Sequence, residues 1–249
     1  MARDIEKGYY MFLLRLMKLI QIILDPFLLS SFLKGSVAGV EHRFVLWNLD
    51  CDYIVDVGAN RGQFALISRK VFPRAKIHSF EPLEEPGQIF QKIFGNDPNV
   101  IFYPYAIGRE KTTSTIHVTK DDDSSSMLPI TKTQSTMFPG ATEKETRQVT
   151  VLPLSQALGD TSIPPASLLK IDVQGFELEV LKGCEDILNK FSHLYIECSF
   201  IELYEGQALA HQIIAWLEQR DFILCGVYNL YYEKNGMAVQ GDFLFTQKK

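Results

Sequence analysis

The 249-residue chain has few cysteines, and none of the four pairs with another in a C-x-x-C unit. Cys51, Cys184, Cys198 and Cys225 are too scattered for a clustered zinc site or a redox dithiol. Their use suits reduced, mostly buried thiols in a cytoplasmic chain. Basic charge is not in excess: 25 Lys and Arg stand against 30 Asp and Glu, a net charge of −5. The electrostatic footprint of a nucleic-acid binder is therefore absent. No internal repeat is visible. G-x-G-x-x-G and G-x-x-x-x-G-K-[ST] are both missing, which removes the usual sequence support for a dinucleotide or phosphate loop. No H-x-x-H spacing occurs either. What remains is a composition ordinary for a globular protein, 46% hydrophobic and 22% charged.

Long apolar runs are also lacking. The best candidate, Tyr9 to Leu24, is interrupted by Arg15, Lys18 and Gln21, which recur every third residue as a narrow polar stripe on a helix. At ~1.5 Å per residue such a helix reaches roughly 24 Å, short of the ~30 Å bilayer core. Pro26 then bends or ends it, and Phe27 to Leu33 adds a second apolar piece. The same charges make a poor signal peptide. Residues 1–40 thus read as an apolar helical extension. Through residues 8–33 it would pack on the domain that follows, join a homodimer, or lie on a membrane surface.

The strongest positive signal is Tyr53 to Gly62. A β-branched run, Ile54-Val55-Asp56-Val57, turns on Gly58-Ala59-Asn60-Arg61-Gly62 and opens a helical pattern at Phe64. Strand, glycine turn and helix in that order build the ligand crevice of doubly wound α/β domains. A second strand ends in Glu81 about twenty residues on, the spacing at which a carboxylate reaches ribose hydroxyls. With a wider, less glycine-rich turn and Asp56 before it, the pattern suits an adenosyl ligand bearing an ammonium and a carboxylate. S-adenosylmethionine fits that description.

From residue 41 to 249 the chain alternates strands and helices, with no domain boundary inside. Strands are predicted at Tyr53–Val57, Lys76–Glu81, Val100–Ile107, Ser167–Val173, His193–Cys198, Phe222–Val227 and Asp242–Thr246. Helices are predicted at Gln63–Val71, Glu85–Phe94, Phe176–Leu181, Glu185–Lys190 and Ala208–Gln219. This alternation implies a mostly parallel sheet covered on both faces. Residues 108–152 break it. Thr112–Val118 and Arg147–Val151 alternate like strands of an inserted hairpin, and the polar middle is long enough to be a functional or a mobile loop. Ser125 and Ser126, after three aspartates, are candidate lid or substrate contacts.

The second dense cluster is Leu168 to Gly183. An apolar strand carries Lys170 and Asp172 on one face, then turns on Gln174-Gly175 into a helix with Glu177. Ligands bind beyond the carboxyl ends of such strands, so Asp172 faces the crevice of Gly58 and Glu81. Asp172 is the first candidate to orient or deprotonate a nucleophile. Lys170 would hold its charge, and Glu177 or Glu197 could share the role. His193 and His78 sit too far from the strand ends. A divalent metal on Asp172 and another acid is an alternative without motif support.

Together D-V-G-A-N-x-G, F-E-P, Asn99-Val100-x-x-Tyr103-x-x-Ala106-Ile107-Gly108 and L-K-I-D-V-Q-G-F-E-x-x-V-L-x-G resemble the FkbM-type methyltransferases. The resemblance covers roughly residues 45–247. It implies a Rossmann-like class I fold with seven strands, the last antiparallel, and S-adenosylmethionine-dependent O-methylation. It places Asp56, Gly58, Ala59, Asn60 and Gly62 along the cofactor, Glu81 on the ribose, and Ala106 and Ile107 at the adenine. The expected acceptor is a hydroxyl of a glycan or a secondary-metabolite-like small molecule. The competing readings are a non-catalytic module binding a partner through its N-terminal helix, and a nicotinamide oxidoreductase, which the missing glycines disfavour. The expected location is the cytoplasm, with membrane-peripheral attachment as the variant.

Overall fold

The computed structural model describes residues 19–248. Among these residues ten strands form two sheets. The main sheet runs β3-β2-β1-β7-β8-β10-β9, with β1 Tyr53–Val57, β2 Lys76–Phe80, β3 Val100–Tyr103, β7 Ser167–Ile171, β8 His193–Ser199, β9 Phe222–Tyr232 and β10 Ala238–Gln247. Strand β10 is antiparallel to both neighbours, and the other pairings described are parallel. Every residue of β1 and β7 is buried. That fits their near-continuous apolar sequences, which can sit only inside a sheet covered on both faces.

Two cores follow. On one face Val55, Val57, Leu169, Ile171, Ile196 and Phe245 pack with helices Glu177–Lys182 and Ala210–Glu218. On the other face Ile54, Ile77, Leu168 and Leu244 pack against helices Gln63–Val71 and Glu84–Phe94. This second face is not wholly apolar. The register sets Asp56 beside Lys170 and Lys170 beside Tyr195, so a polar row crosses it.

The sequence reading joins Val100 to Ile107 in one strand. The chain instead leaves the main sheet after Tyr103, because Pro104 has no N–H to continue the ladder. β4 Ala106–Ile107 then pairs with β6 Glu143–Leu152, and β6 pairs antiparallel with β5 Thr112–Thr119. The polar middle of this insert is tied down. Ser126 Oγ donates to the Gln174 carbonyl at 2.5 Å, and Thr131 Oγ1 donates to the Leu203 carbonyl at 2.7 Å.

Ahead of β1, residues 19–24 are helical and helix Pro26–Leu33 follows. Asp25 caps the second helix, accepting from Phe27 N at 3.0 Å and Leu28 N at 3.3 Å, with Pro26 in the first turn. Asp25 also pairs with Lys70. Ile22 and Leu28 enter the core that holds Ile54, while Ile23, Leu24 and Leu33 stay exposed. Residues 8–18 of the proposed contact segment, Arg15 and Lys18 among them, lie outside the described residues. Among the described residues, no helix is long and apolar enough to cross a membrane.

Candidate active site

Strands β1 and β7 are neighbours from which the chain order runs outward in opposite directions, the point where open α/β sheets bind ligands. Their carboxyl ends touch. Gly58 adopts φ +80, and a Cβ there would stand 1.8 Å from the Asp172 carbonyl oxygen. Asn60 and Gln174, in the turns after β1 and β7, are also left-handed, at φ 44 and 56. A cavity of about 230 Å³ opens over these turns.

Nine of the residues predicted from sequence line it. They are Gly58, Ala59 and Asn60 from the first turn, Glu81 beyond β2, Ala106 and Ile107 from β4, Ser125 from the insert, Lys170 from β7 and Asp172 just beyond it. Asp56, Gly62, Ser126, Glu177 and Glu197 are not among its lining residues. Asp56 is fully buried behind Lys170. Gly62 leaves room for Phe90 and Phe94.

Glu81 is held by its own neighbourhood. Oε2 accepts from Asn60 N at 3.0 Å and Oε1 from Leu83 N at 2.8 Å. Beside it Leu83, Ala106, Ile107 and Phe176 form an apolar wall. A carboxylate and an apolar wall therefore adjoin in the cavity.

Lys170 is the centre of the charged end. Its ammonium lies 3.2 Å from Asp56 Oδ1 and 3.5 Å from Asp172 Oδ2, and it donates to the Gly58 carbonyl at 3.1 Å. Burial opposes its charge, but Asp56 and then Asp172 outweigh it and lift it above the usual lysine range. Gln174 Nε2 joins the two acids, donating to Asp172 Oδ1 at 2.8 Å and Glu197 Oε2 at 2.9 Å. Its own oxygen accepts from Tyr204 at 2.8 Å. A glutamate at 174 would have no hydrogens for two carboxylates, so glutamine is what this junction requires. Burial, then the Asp172 charge, pushes Glu197 well up.

Glu177 braces the turn instead of facing the cavity. Its Oε1 accepts from Val173 N at 3.2 Å and Gly175 N at 2.9 Å. Burial pushes its carboxyl up from 4.5 to about 7. A carboxyl raised on folding is no burden below its unfolded value, and its ionisation weighs increasingly against the fold as pH rises to the folded value. Glu177→Gln is expected to gain about 2–3 kcal/mol relative to wild type between pH 5 and pH 8. Urea midpoints at the two pH values check this; a gap that does not change with pH contradicts it.

The cavity wall formed by Gly39, Glu41 and His42 is not anticipated by the motifs. It comes from the stretch between the extension and β1, where no spacing marks it. Among the described residues, no group of three or more His, Cys, Asp or Glu is placed to hold a metal ion.

The methyltransferase FkbM domain matches residues 56–224, more than half of the chain. The chain belongs to the FkbM methyltransferase family. Its fold and the motif resemblance agree with that membership, and methyl transfer from S-adenosylmethionine is the chemistry that goes with it. Methyltransferase sdnD of Sordaria araneosa is 28% identical over 73% of this chain and 78% of its own length. The 2-O-methyltransferase NoeI of Sinorhizobium fredii is 25% identical over 79% of both chains. The chain spans between 60% and 79% of the length of the curated relatives it matches. Among solved structures, an O-methyltransferase candidate from Klebsiella pneumoniae superposes with a TM-score of 0.53 at 11% identity, covering 90% of this chain and 91% of the other. That likeness concerns the fold.

Proposed function

We propose that this FkbM-family chain O-methylates a hydroxyl of a glycan or a secondary-metabolite-like small molecule. The observation that carries the reading is Glu81, fixed by two backbone N–H groups beside the Gly58 turn and the apolar wall. In this assignment Glu81 accepts from the ribose, Leu83, Ala106, Ile107 and Phe176 enclose the adenine, and the Gly58–Asn60 backbone follows the methionine part. Asp56 and Gly62 shape the site from behind. The name of NoeI, a 2-O-methyltransferase, supports an oxygen acceptor.

S-adenosylmethionine supplies an electrophilic methyl group when bound. The chain has to orient the acceptor oxygen, keep water out and receive a proton. Asp172, 33% exposed in its side chain and steadied by Lys170, is assigned to orienting the hydroxyl. Glu177 and Glu197 support that corner through the Gln174 turn. Ser125, on the insert, is assigned to the acceptor rim, with Ser126 anchoring it to Gln174. The proposal keeps residues 8–33 as the contact to a membrane surface or a second copy, in a cytoplasmic protein.

Glu81→Gln is the test. It retains size but gives up the charge that strengthens the ribose bonds, a loss of about 1–3 kcal/mol. Calorimetry with S-adenosylhomocysteine should show Kd rising roughly 5- to 150-fold. An unchanged Kd in a folded variant would overturn the ribose assignment.

A further inference from the structure

The cavity has a candidate base that the motifs do not contain. His42 reaches it from the chain before β1, with its side chain 17% exposed. Nδ1 lies 3.1 Å from the Tyr195 hydroxyl and 3.4 Å from Asp242 Oδ2. Tyr195 donates to that carboxylate oxygen at 3.1 Å, and Asn229 Nδ2 donates to it at 2.8 Å. Burial alone would raise the Asp242 carboxyl, but its bonds to His42, Asn229 and Tyr195 hold it below the usual carboxylate range. Asn229 Nδ2 also lies 3.3 Å from Nδ1, but its shorter bond goes to Asp242, so the ionised carboxylate and the phenol oxygen favour the proton on Nδ1. The lone pair is then left on Nε2.

The other ring edge faces Gly39. A Cβ on Gly39 would meet His42 Cδ2 at 2.8 Å and Nε2 at 3.4 Å, and both residues line the cavity. Only glycine leaves the imidazole its place. Phe64 fixes the depth: its ring is 5.4 Å from the His42 ring and 5.6 Å from the Lys170 ammonium. Phe64 thus packs against both His42 and Lys170, and these three line the cavity with Asp172. Asp172 is committed there, Oδ1 to Gln174 and Oδ2 to Lys170. The charged and titratable groups around His42 are Asp242 and Tyr195 from the sheet, Glu41 beside it, and Lys170, Asp172 and Asp56 beyond Phe64.

Resting on the methyl-transfer reading, we propose that His42 Nε2 takes the proton of the acceptor hydroxyl, with Asp242 and Tyr195 holding the ring. The oxygen gains its bond to the methyl carbon as the carbon–sulfur bond breaks, and the electron pair of that bond stays on sulfur. The O–H proton passes to Nε2, Asp242 steadies the imidazolium, and the proton then leaves to water. Asp172 positions the hydroxyl without having to accept its proton.

The test needs no acceptor. The full chain, labelled with 15N-histidine, is titrated by NMR as its S-adenosylhomocysteine complex and as its S-adenosylmethionine complex, and His42→Gln assigns the resonance. The two nucleosides differ by a methyl group and one positive charge at the reacting sulfur. The expected results are an unprotonated Nε2 in the neutral ring, and an Nε2 resonance that moves between the two complexes, since a charge at the reacting sulfur polarises a lone pair that faces it. Asp242→Asn should shift the Nε2 resonance as the tautomer preference is lost. A protonated Nε2 in the neutral ring, or an Nε2 resonance identical in two fully formed complexes, would overturn the proposal. If neither nucleoside binds, the methyl-donor reading itself fails and takes this one with it.

Discussion

Gly58→Ala is expected to cost the protein a large part of its stability margin and its nucleoside binding. Two penalties combine. Alanine at a left-handed φ costs about 1–2 kcal/mol. The added Cβ would then stand 1.8 Å from the Asp172 carbonyl oxygen, and that neighbour is backbone in the adjoining strand end, which cannot rotate away. Overpacking of this kind adds about 1–3 kcal/mol or more. A total of roughly 2–5 kcal/mol is a large part of the ~5–15 kcal/mol typical of a domain. Gly206→Ala is the control, because Gly206 has φ +74 with nothing near a new Cβ. Urea midpoints should fall for both and much further for Gly58→Ala. Equal shifts would mean that the β1 and β7 ends are not in contact.

Lys170→Met should be the next most damaging change. It leaves Asp56, fully buried, without the ammonium that stands 3.2 Å away. Breaking a buried pair on one side costs about 3–5 kcal/mol, whereas replacing both partners costs far less. Lys170→Met with Asp56→Asn should therefore recover much of the loss. The pH dependence has a definite sign. Burial already raises the Asp56 carboxyl, and loss of Lys170 raises it further. The penalty is then absent below the unfolded value of ~3.9, grows as pH rises from there to the folded value, and levels off above it. The deficit of Lys170→Met against wild type should be smaller at pH 5 than at pH 8, measured by denaturant unfolding. A double variant no more stable than the single one would show that Asp56 is not the group left exposed to cost.

Local sequence was informative where one short segment both forms an element and ends at the cavity. Tyr53–Val57 and Gln63–Val71 lie where a short β-branched run and a helical apolar period place them, because both patterns are properties of the segment itself. The antiparallel last strand, expected at Asp242–Thr246, runs from Ala238 to Gln247. Its extra residues are stabilised by β9, a partner that no local window contains. Pro104 was visible in the sequence, yet the continuation of Ala106–Ile107 into a second sheet depends on β6, some forty residues later.

The candidate site divides along the same line. Gly58, Glu81 and Asp172 could be picked from the sequence because the turns that hold them have positional rules: a glycine where backbone crosses backbone, an acid at a strand end. Glu177 is buried as a brace and Glu197 sits behind Gln174. Sequence groups both with Asp172, because strand and helix ends predict proximity but not which way a side chain is shielded. His42, Tyr195 and Asp242 are some 150 and 47 residues apart in turn, and no motif joins them. What the sequence by itself determined was the order of elements, the glycine turns and the family. Tertiary structure alone decided which carboxylates face the cavity, that Lys170 serves Asp56 as well as Asp172, and that a histidine from outside the motifs stands beside them. Side-chain partnership across strands depends on sheet order and register, which local chain periodicity does not encode.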